Sequence, residues 1–170
     1  MPAFFDTSIL LALGDKNEQT IKLCHELIDH RAYSITTTET PLCELNCIRR
    51  CGQPDMAKTA ATTLTGLSSF GIVTSVFESG LNRDYAYRAG EKIKRAMSKR
   101  GISLSLSAAF TIGEAASIGS LNAEKSGSNL LFSYHKEFIQ LKKYQAVVTD
   151  ILTSSHLASV VIAHPEDFVS

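Results

Sequence analysis

Tryptophan is absent from the 170 residues, proline occurs only four times, and neither sign of charge is in excess. Each shortage excludes something. Seventeen basic residues meet seventeen acidic ones, so the formal charge is zero. A polybasic nucleic-acid coat or membrane-surface binder is thereby excluded as a property of the whole chain, while a local basic face is not. Few prolines, ten glycines and no low-complexity tract exclude collagen-like, mucin-like and linker proteins. The longest apolar runs, such as Ile9–Leu13 and Val160–Ala163, are a few residues long, against roughly 20 for a bilayer span. The opening Met1-Pro2-Ala3-Phe4-Phe5-Asp6 lacks the basic region, long apolar core and cleavage site of an export signal. These features predict a cytoplasmic chain with no membrane association and with its four cysteines as reduced thiols. Phosphate loops of the GxxxxGK type, HExxH and GxSxG are also missing, which removes support for nucleotide hydrolysis, zinc proteolysis and serine esterase chemistry.

What is present is ordinary globular composition, 44% hydrophobic and 20% charged, in a length that suits one domain. Ala3-Phe4-Phe5 reads as a short buried strand ending in the polar Asp6-Thr7-Ser8. Ile9–Leu13 opens a helix, and Asp15 with Glu18 resembles a capping box for a second helix reaching about Arg31. Tyr33–Thr38 is rich in β-branched residues and predicts strand two. Thr40-Pro41 looks like an N-cap and first helical position, followed by a further helix from Pro54 to about Leu67. Gly71–Val76 is the third strand. Asn82–Arg100 is an amphipathic helix with Tyr85, Ala89, Ile93 and Met97 in line, stopped by Gly101. Ala108–Leu121 is a small-residue helix broken near Gly113, Asn122–Asn129 a loop, and Leu130–Tyr144 a helix. Ala146–Thr149 and Val160–Ala163 are the last two strands. Strands alternating with helices predict a three-layer α/β/α sandwich on a mostly parallel central sheet.

In such sheets functional groups gather at the carboxyl ends of the strands. Asp6 ends the first strand and Asp150 the fourth. Glu44 lies early in the helix after strand two, and Glu114 follows Gly113. Four carboxylates on one cleft repel one another unless a hard divalent cation neutralises them. Magnesium or manganese there would activate a water and hold a phosphodiester for in-line attack. Three of the acids also have a plainer role open to them: Asp6 or Asp150 as a helix cap, Glu44 as a surface residue.

The segment Phe4-Phe5-Asp6-Thr7-Ser8-Ile9-Leu10 resembles the first motif of PIN domains. Thr40-Pro41-Leu42-Cys43-Glu44-Leu45 is similar to the family's helical glutamate motif, and Val147-Val148-Thr149-Asp150 to its late apolar-Thr-acid segment. Val160–Val169 is similar to the usual last strand and its Pro-Glu-Glu-Phe-like ending. By order and placement the chain resembles the family over all 170 residues, as a single PIN-like domain. The resemblance implies an Mg²⁺- or Mn²⁺-dependent endoribonuclease, and often a VapC-type toxin that is a homodimer blocked by an antitoxin protein. It implies Asp6, Glu44, Glu114 and Asp150 as metal ligands, with Thr7, Ser8 or Thr149 positioning water or ligands. Two departures stand out. Many members carry an aspartate where Gly101–Leu106 here leads to Ser107 and Ala108, so either Gly113-Glu114-Ala115-Ala116-Ser117-Ile118 supplies the third acid or the site lacks one. The stretch 122–144 reads as an insertion whose Lys125, His135, Lys136, Lys142 and Lys143, with Phe132, Tyr134 and Phe138, either line a nucleic-acid groove or, as preferred, form an added packed helix.

Between Arg83 and Arg100 seven basic residues face two acidic ones, a net +5. Arg88, Lys92, Arg95 and Lys99 fall on one helical face, suited to an RNA backbone or simply to solvent. Cys43, Cys47 and Cys51 share another face but span about 12 Å at 1.5 Å per residue, too far for one zinc, so they are expected as buried core residues. The function expected is thus metal-dependent RNA hydrolysis. Its rivals are a catalytically degenerate PIN-like module that binds RNA or a protein, and, last, a receiver-like phospho-acceptor domain.

Overall fold

The computed structural model describes residues 2–30, 33–77, 80–121 and 129–169. Thirteen elements follow in order: β1 (Pro2–Phe5), α1 (Thr7–Gly14), α2 (Glu18–His25), β2 (Ser34–Thr37), α3 (Glu39–Cys51), α4 (Pro54–Gly66), β3 (Val73–Thr74), α5 (Gly80–Ser98), α6 (Leu106–Leu121), β4 (Asn129–Phe132), α7 (Lys136–Lys142), α8 (Gln145–Ser154) and β5 (Val160–Ala163). All strand pairs are parallel, in the order β3-β2-β1-β4-β5. The order reverses between β1 and β4, which makes the crevice beyond their carboxyl ends the switch point of the sheet.

β1 is buried on both faces, and its alternation divides the core in two. Ala3 and Phe5 join Leu130, Phe132, Ile35 and the apolar sides of α1 to α4 in one cluster. Phe4 and Leu131 point the other way, into a cluster with α5, α6 and α8. The α/β/α layering expected from the sequence is therefore present. Helix α6 carries buried residues around its whole circumference, as expected of a helix with no solvated face. It packs on α5 backbone to backbone. A Cβ on Gly113 would lie 2.0 Å from the Ala86 carbonyl oxygen, and one on Gly90 2.6 Å from that of Ala109. Gly113 is thus the contact that lets α6 run unbroken, and not the break expected.

Several local expectations need correction. The run 146–149 is not a strand but part of α8. Its β-branched residues mimic a strand, but Val148 and Leu152, one turn apart, are the buried face. The fourth strand is Asn129–Phe132, taken from a segment read as helix because a short apolar run does not distinguish the two. Within the stretch expected as an insertion, 122–144, Asn129–Phe132 supply the central strand β4. Positions 122–128, Lys125 among them, lie outside the described residues. Asn17, not Asp15, caps α2 by accepting from Thr20 N at 3.0 Å, and α2 closes in a wider turn, Glu26–His30. The third strand is only two residues long. Tyr85 is half exposed while Ala86 takes its place in the buried line. Cys24 is buried, but Cys43, Cys47 and Cys51 are exposed, because α3 buries Pro41 and Leu45 on a different face.

The outer edge of β5 is closed by one side chain. Gln145 donates from Nε2 to Val160 O at 2.6 Å and accepts from Ile162 N at 3.1 Å, offering the edge what a neighbouring strand would. Among the described residues no helix is long and apolar enough to cross a membrane.

Candidate functional site

Asp6 follows β1 directly and caps α1. Its Oδ1 accepts from Ser8 N (3.0 Å), Ile9 N (3.1 Å) and Ser8 Oγ (2.7 Å). Oδ2 accepts from Ser133 Oγ at 2.5 Å. The cap is ordinary helix chemistry, yet the carboxyl is 3% exposed. Burial pushes its pKa above the usual aspartate range, against the hydrogen bonds from Ser133, Ser8 and Ile9 and the pull of His135.

Glu44 reaches the same place from α3. Thr7 Oγ1 donates to Glu44 Oε2, and Ser107 Oγ, at the start of α6, donates to Oε1. Asp6, Glu44, Ser107 and His135 line one pocket of about 90 Å³, with Glu137 on its wall accepting from Ser105 N at 2.8 Å. The pocket lies beyond the carboxyl ends of β1 and β4, at the switch point. Ser133 follows β4, and its hydroxyl also accepts from His135 N at 2.9 Å, so the backbone of the exposed His135 is tied to the residue that holds Asp6.

The four carboxylates expected together do not assemble. Glu114 is fully buried in α6, away from the pocket lining. Its carboxylate accepts from Thr40 N at 3.0 Å and Thr40 Oγ1 at 2.6 Å. Thr38, the residue preceding α3, makes no side-chain cap. Glu114 therefore caps α3 from a neighbouring helix, which also explains why Thr40 is inside α3 and not its cap. With Ser107–Glu44 this gives α6 two grips on the helix that carries Glu44. Asp150 sits exposed on α8, because the strand that would have carried it to the rim is a helix. Thr149 is on the same helix, where it accepts from Gln145. Thr7 and Ser8 are in the site as described. Arg88, Lys92 and Arg95 are exposed on α5, and Lys99 is exposed just past its end. Lys92 Nζ donates to Ser155 Oγ at 3.2 Å, and Arg95 pairs with Glu91.

Sequence reasoning did not find Ser133 or Glu137, and it gave His135 to an added helix. The signal available was the apolar Leu130-Leu131-Phe132 run entering Ser133, a strand-to-loop junction like that at Asp6. Among the described residues no three of His, Cys, Asp and Glu are grouped closely enough to hold a metal ion. The donor set that remains, the hydroxyl-held carboxylates of Asp6 and Glu44 with Glu137 on the wall, fits magnesium or manganese in one mode only. In that mode one or two carboxylates hold the ion while waters and substrate phosphate complete its shell.

Glu114 gives a pH test. Burial first of all raises its pKa above the ordinary 4.5, so the folded state binds more protons than the unfolded one just above pH 4.5. Its contribution to stability then falls as pH rises through the raised value. Glu114→Gln should show a flatter stability profile than the parent above pH 4.5, measured by urea unfolding at a series of pH values. Glu114→Ala should lose about 2 kcal/mol by leaving Thr40 N buried without an acceptor. Parallel profiles for parent and Gln variant would contradict this account.

No protein-family model matches the chain, and no curated protein does. Solved structures do. VapBC2 from Rickettsia felis, bound to a DNA fragment from its promoter, has a chain 11% identical with a TM-score of 0.64, covering 96% of this chain and 98% of that one. VapBC-5 from Mycobacterium tuberculosis, a member of the VapBC family of toxin-antitoxin systems, is 17% identical at TM-score 0.56 over 96% and 98%. VapBC-1 from nontypeable Haemophilus influenzae is 14% identical at TM-score 0.56 over 98% and 99%. At these identities the likeness is one of fold. The chain shares the parallel α/β fold of these chains from VapBC structures, with Asp6 and Glu44 at its switch point.

Proposed function

We propose that the chain is a divalent-metal-dependent endoribonuclease of the PIN type, acting as the toxin of a toxin–antitoxin pair. The observation that carries the reading is the convergence of Asp6 and Glu44 on one small pocket at the switch point, each oriented by hydroxyl donors. Asp6 is held by Ser8, Ile9 and Ser133, and Glu44 by Thr7 and Ser107, so both carboxylates are fixed before substrate arrives. Mg²⁺ or Mn²⁺ held between them would supply an activated water and neutralise charge on the phosphodiester. His135, exposed at the pocket, offers a donor to a phosphate oxygen. The fold neighbours come from two-component VapBC structures, which supports an antitoxin partner. A homodimer in the cytoplasm completes this reading.

A second reading has its own observation. Two of the four expected carboxylates are absent from the pocket, Ser107 stands where many PIN domains carry an acid, and Ser133 with His135 follows the fourth strand. That pattern favours a degenerate module which binds RNA or a protein without cutting. One assay separates the two: single-stranded RNA of mixed sequence, incubated with protein and Mn²⁺ or Mg²⁺. The enzyme reading expects metal-dependent cleavage, reduced about 100-fold or more in Glu44→Gln, since changes even to partners that only orient a ligand commonly cost 10- to 100-fold. Retained RNA binding with no cleavage under either metal would overturn it in favour of the module.

A further inference from the structure

The pocket holding Asp6 and Glu44 has room for an ion, a few waters and phosphate oxygens, but not for a nucleotide. The rest of any polymeric substrate must therefore lie on adjoining surface. Next to the pocket runs a larger groove, about 380 Å³, between the last turns of α5 and the segment leading into α6. This is within the range of small-ligand sites. The two concavities share one wall. Ile102, Ser103, Leu104 and Leu106 face the groove, while Ser105, Ser107 and Ala108 face the pocket. The groove's opposite side carries Lys94 and Arg95. Lys94 Nζ donates to Leu104 O, which pins the ammonium at the groove and leaves it two further protons. Arg95 pairs with the exposed Glu91, at 3.5 Å with both side chains more than half in water, a pair of little strength. Arg95 lies in the last turn of α5, where a cation also suits the helix dipole. That accounts for its charge, but not for a groove with Leu106 left 47% exposed.

We propose that this groove seats the nucleotide adjacent to the scissile phosphodiester of a single-stranded RNA. Lys94 and Arg95 meet its phosphate, and Ile102 and Leu106 pack against its base. The inference rests on the ribonuclease reading and sharpens it. The RNA track is the groove at the carboxyl end of α5, and not the whole Arg88–Lys99 face. Cation-plus-apolar surfaces of this kind take single strands without strong sequence preference, and an A-form duplex keeps its bases stacked away from such a seat.

The test uses the whole protein with labelled single-stranded RNA in EDTA, so that binding is read without cleavage. Arg95→Glu should weaken binding about tenfold and lower the salt slope by about one, whereas Arg88→Glu should change neither by much. RNA carrying 4-thiouridine should cross-link on irradiation to the peptide containing 102–106, and a duplex of the same sequence should not. Should Arg95→Glu bind like the parent, or cross-links fall outside 102–106, the groove is not the seat. Cleavage with cross-links elsewhere would overturn the groove and leave the ribonuclease reading standing. Cross-links at 102–106 without cleavage in Mn²⁺ would do the reverse.

Discussion

Asp6→Asn is expected to abolish RNA cleavage and, at neutral pH, to make the protein more stable. The two effects have one cause. Burial holds the Asp6 carboxyl above its ordinary pKa, so the folded state takes up a proton more readily than the unfolded chain just above pH 3.8. Stability from this group is complete at low pH and is lost as pH rises through the raised value. Wherever it is ionised, the desolvated carboxylate is thus a burden on the fold. Asparagine removes that burden while keeping the local bonds. Its Oδ1 still accepts from Ser8 N and Ile9 N, and its Nδ2 donates to Ser133 Oγ, which turns its own proton elsewhere. A gain of about 1 kcal/mol is expected, typical of relieving strain at a functional site, or about 2–4 °C in Tm for a chain of this size. Losing the Asp6 carboxylate removes several kcal/mol of transition-state stabilisation, about a thousandfold in rate. Thermal unfolding and the RNA assay on the same preparation read both. A variant that cleaves like the parent sinks the proposed function. One that unfolds earlier at pH 7 than at pH 4, relative to the parent, sinks the account of Asp6.

Gly113→Ala should be the most damaging single methyl group in the molecule. A Cβ there would lie 2.0 Å from Ala86 O and 2.8 Å from its carbonyl carbon, so it meets backbone that has no rotamer to change. Helices α5 and α6 would have to part, and α6 lies against the sheet and carries both grips on α3. A loss of about 3 kcal/mol is expected, the upper end for overpacking, or about 6–12 °C in Tm. Gly80→Ala is the control. Its Cβ meets nothing within 4 Å, and removing unfolded-state freedom should stabilise by about 0.4–1 kcal/mol. Denaturant midpoints at unchanged m-value separate the two. Equal midpoints would mean that α5 and α6 do not touch as described.

Much of this was legible in the sequence because local and tertiary demands agreed. The apolar Ala3-Phe4-Phe5 run ending in Asp6 is both a strand signal and the site's first acid. The step from Thr37 into the Glu44 helix behaves likewise. Legibility failed where a pattern served two structures equally. Val147-Val148-Thr149 has the β-branched look of a strand, yet its helical spacing to Leu152 decided the outcome, and Asp150 went with it. Leu130–Phe132 is too short for periodicity to speak, and with that strand misread Ser133 and Glu137 could not be found. Glu114 was misplaced for a different reason. An acid beside a glycine in a small-residue helix reads as exposed chemistry, whereas here it satisfies the first turn of another helix, a long-range bond that no local pattern encodes. The cysteines show the same limit, since a shared face does not reveal which way that face turns.

The seal that Gln145 places on β5 has a consequence for how copies of this chain can join. Among the described residues the other edge of the sheet is the two-residue β3, where Val73 is exposed. In the language of polymers the folded unit has a functionality of one. Pairing through that edge is self-complementary and stops at two copies, whereas two open edges would permit growth without end. A single amide thus sets the upper limit of any strand-added assembly, and replacing it with leucine would raise that limit.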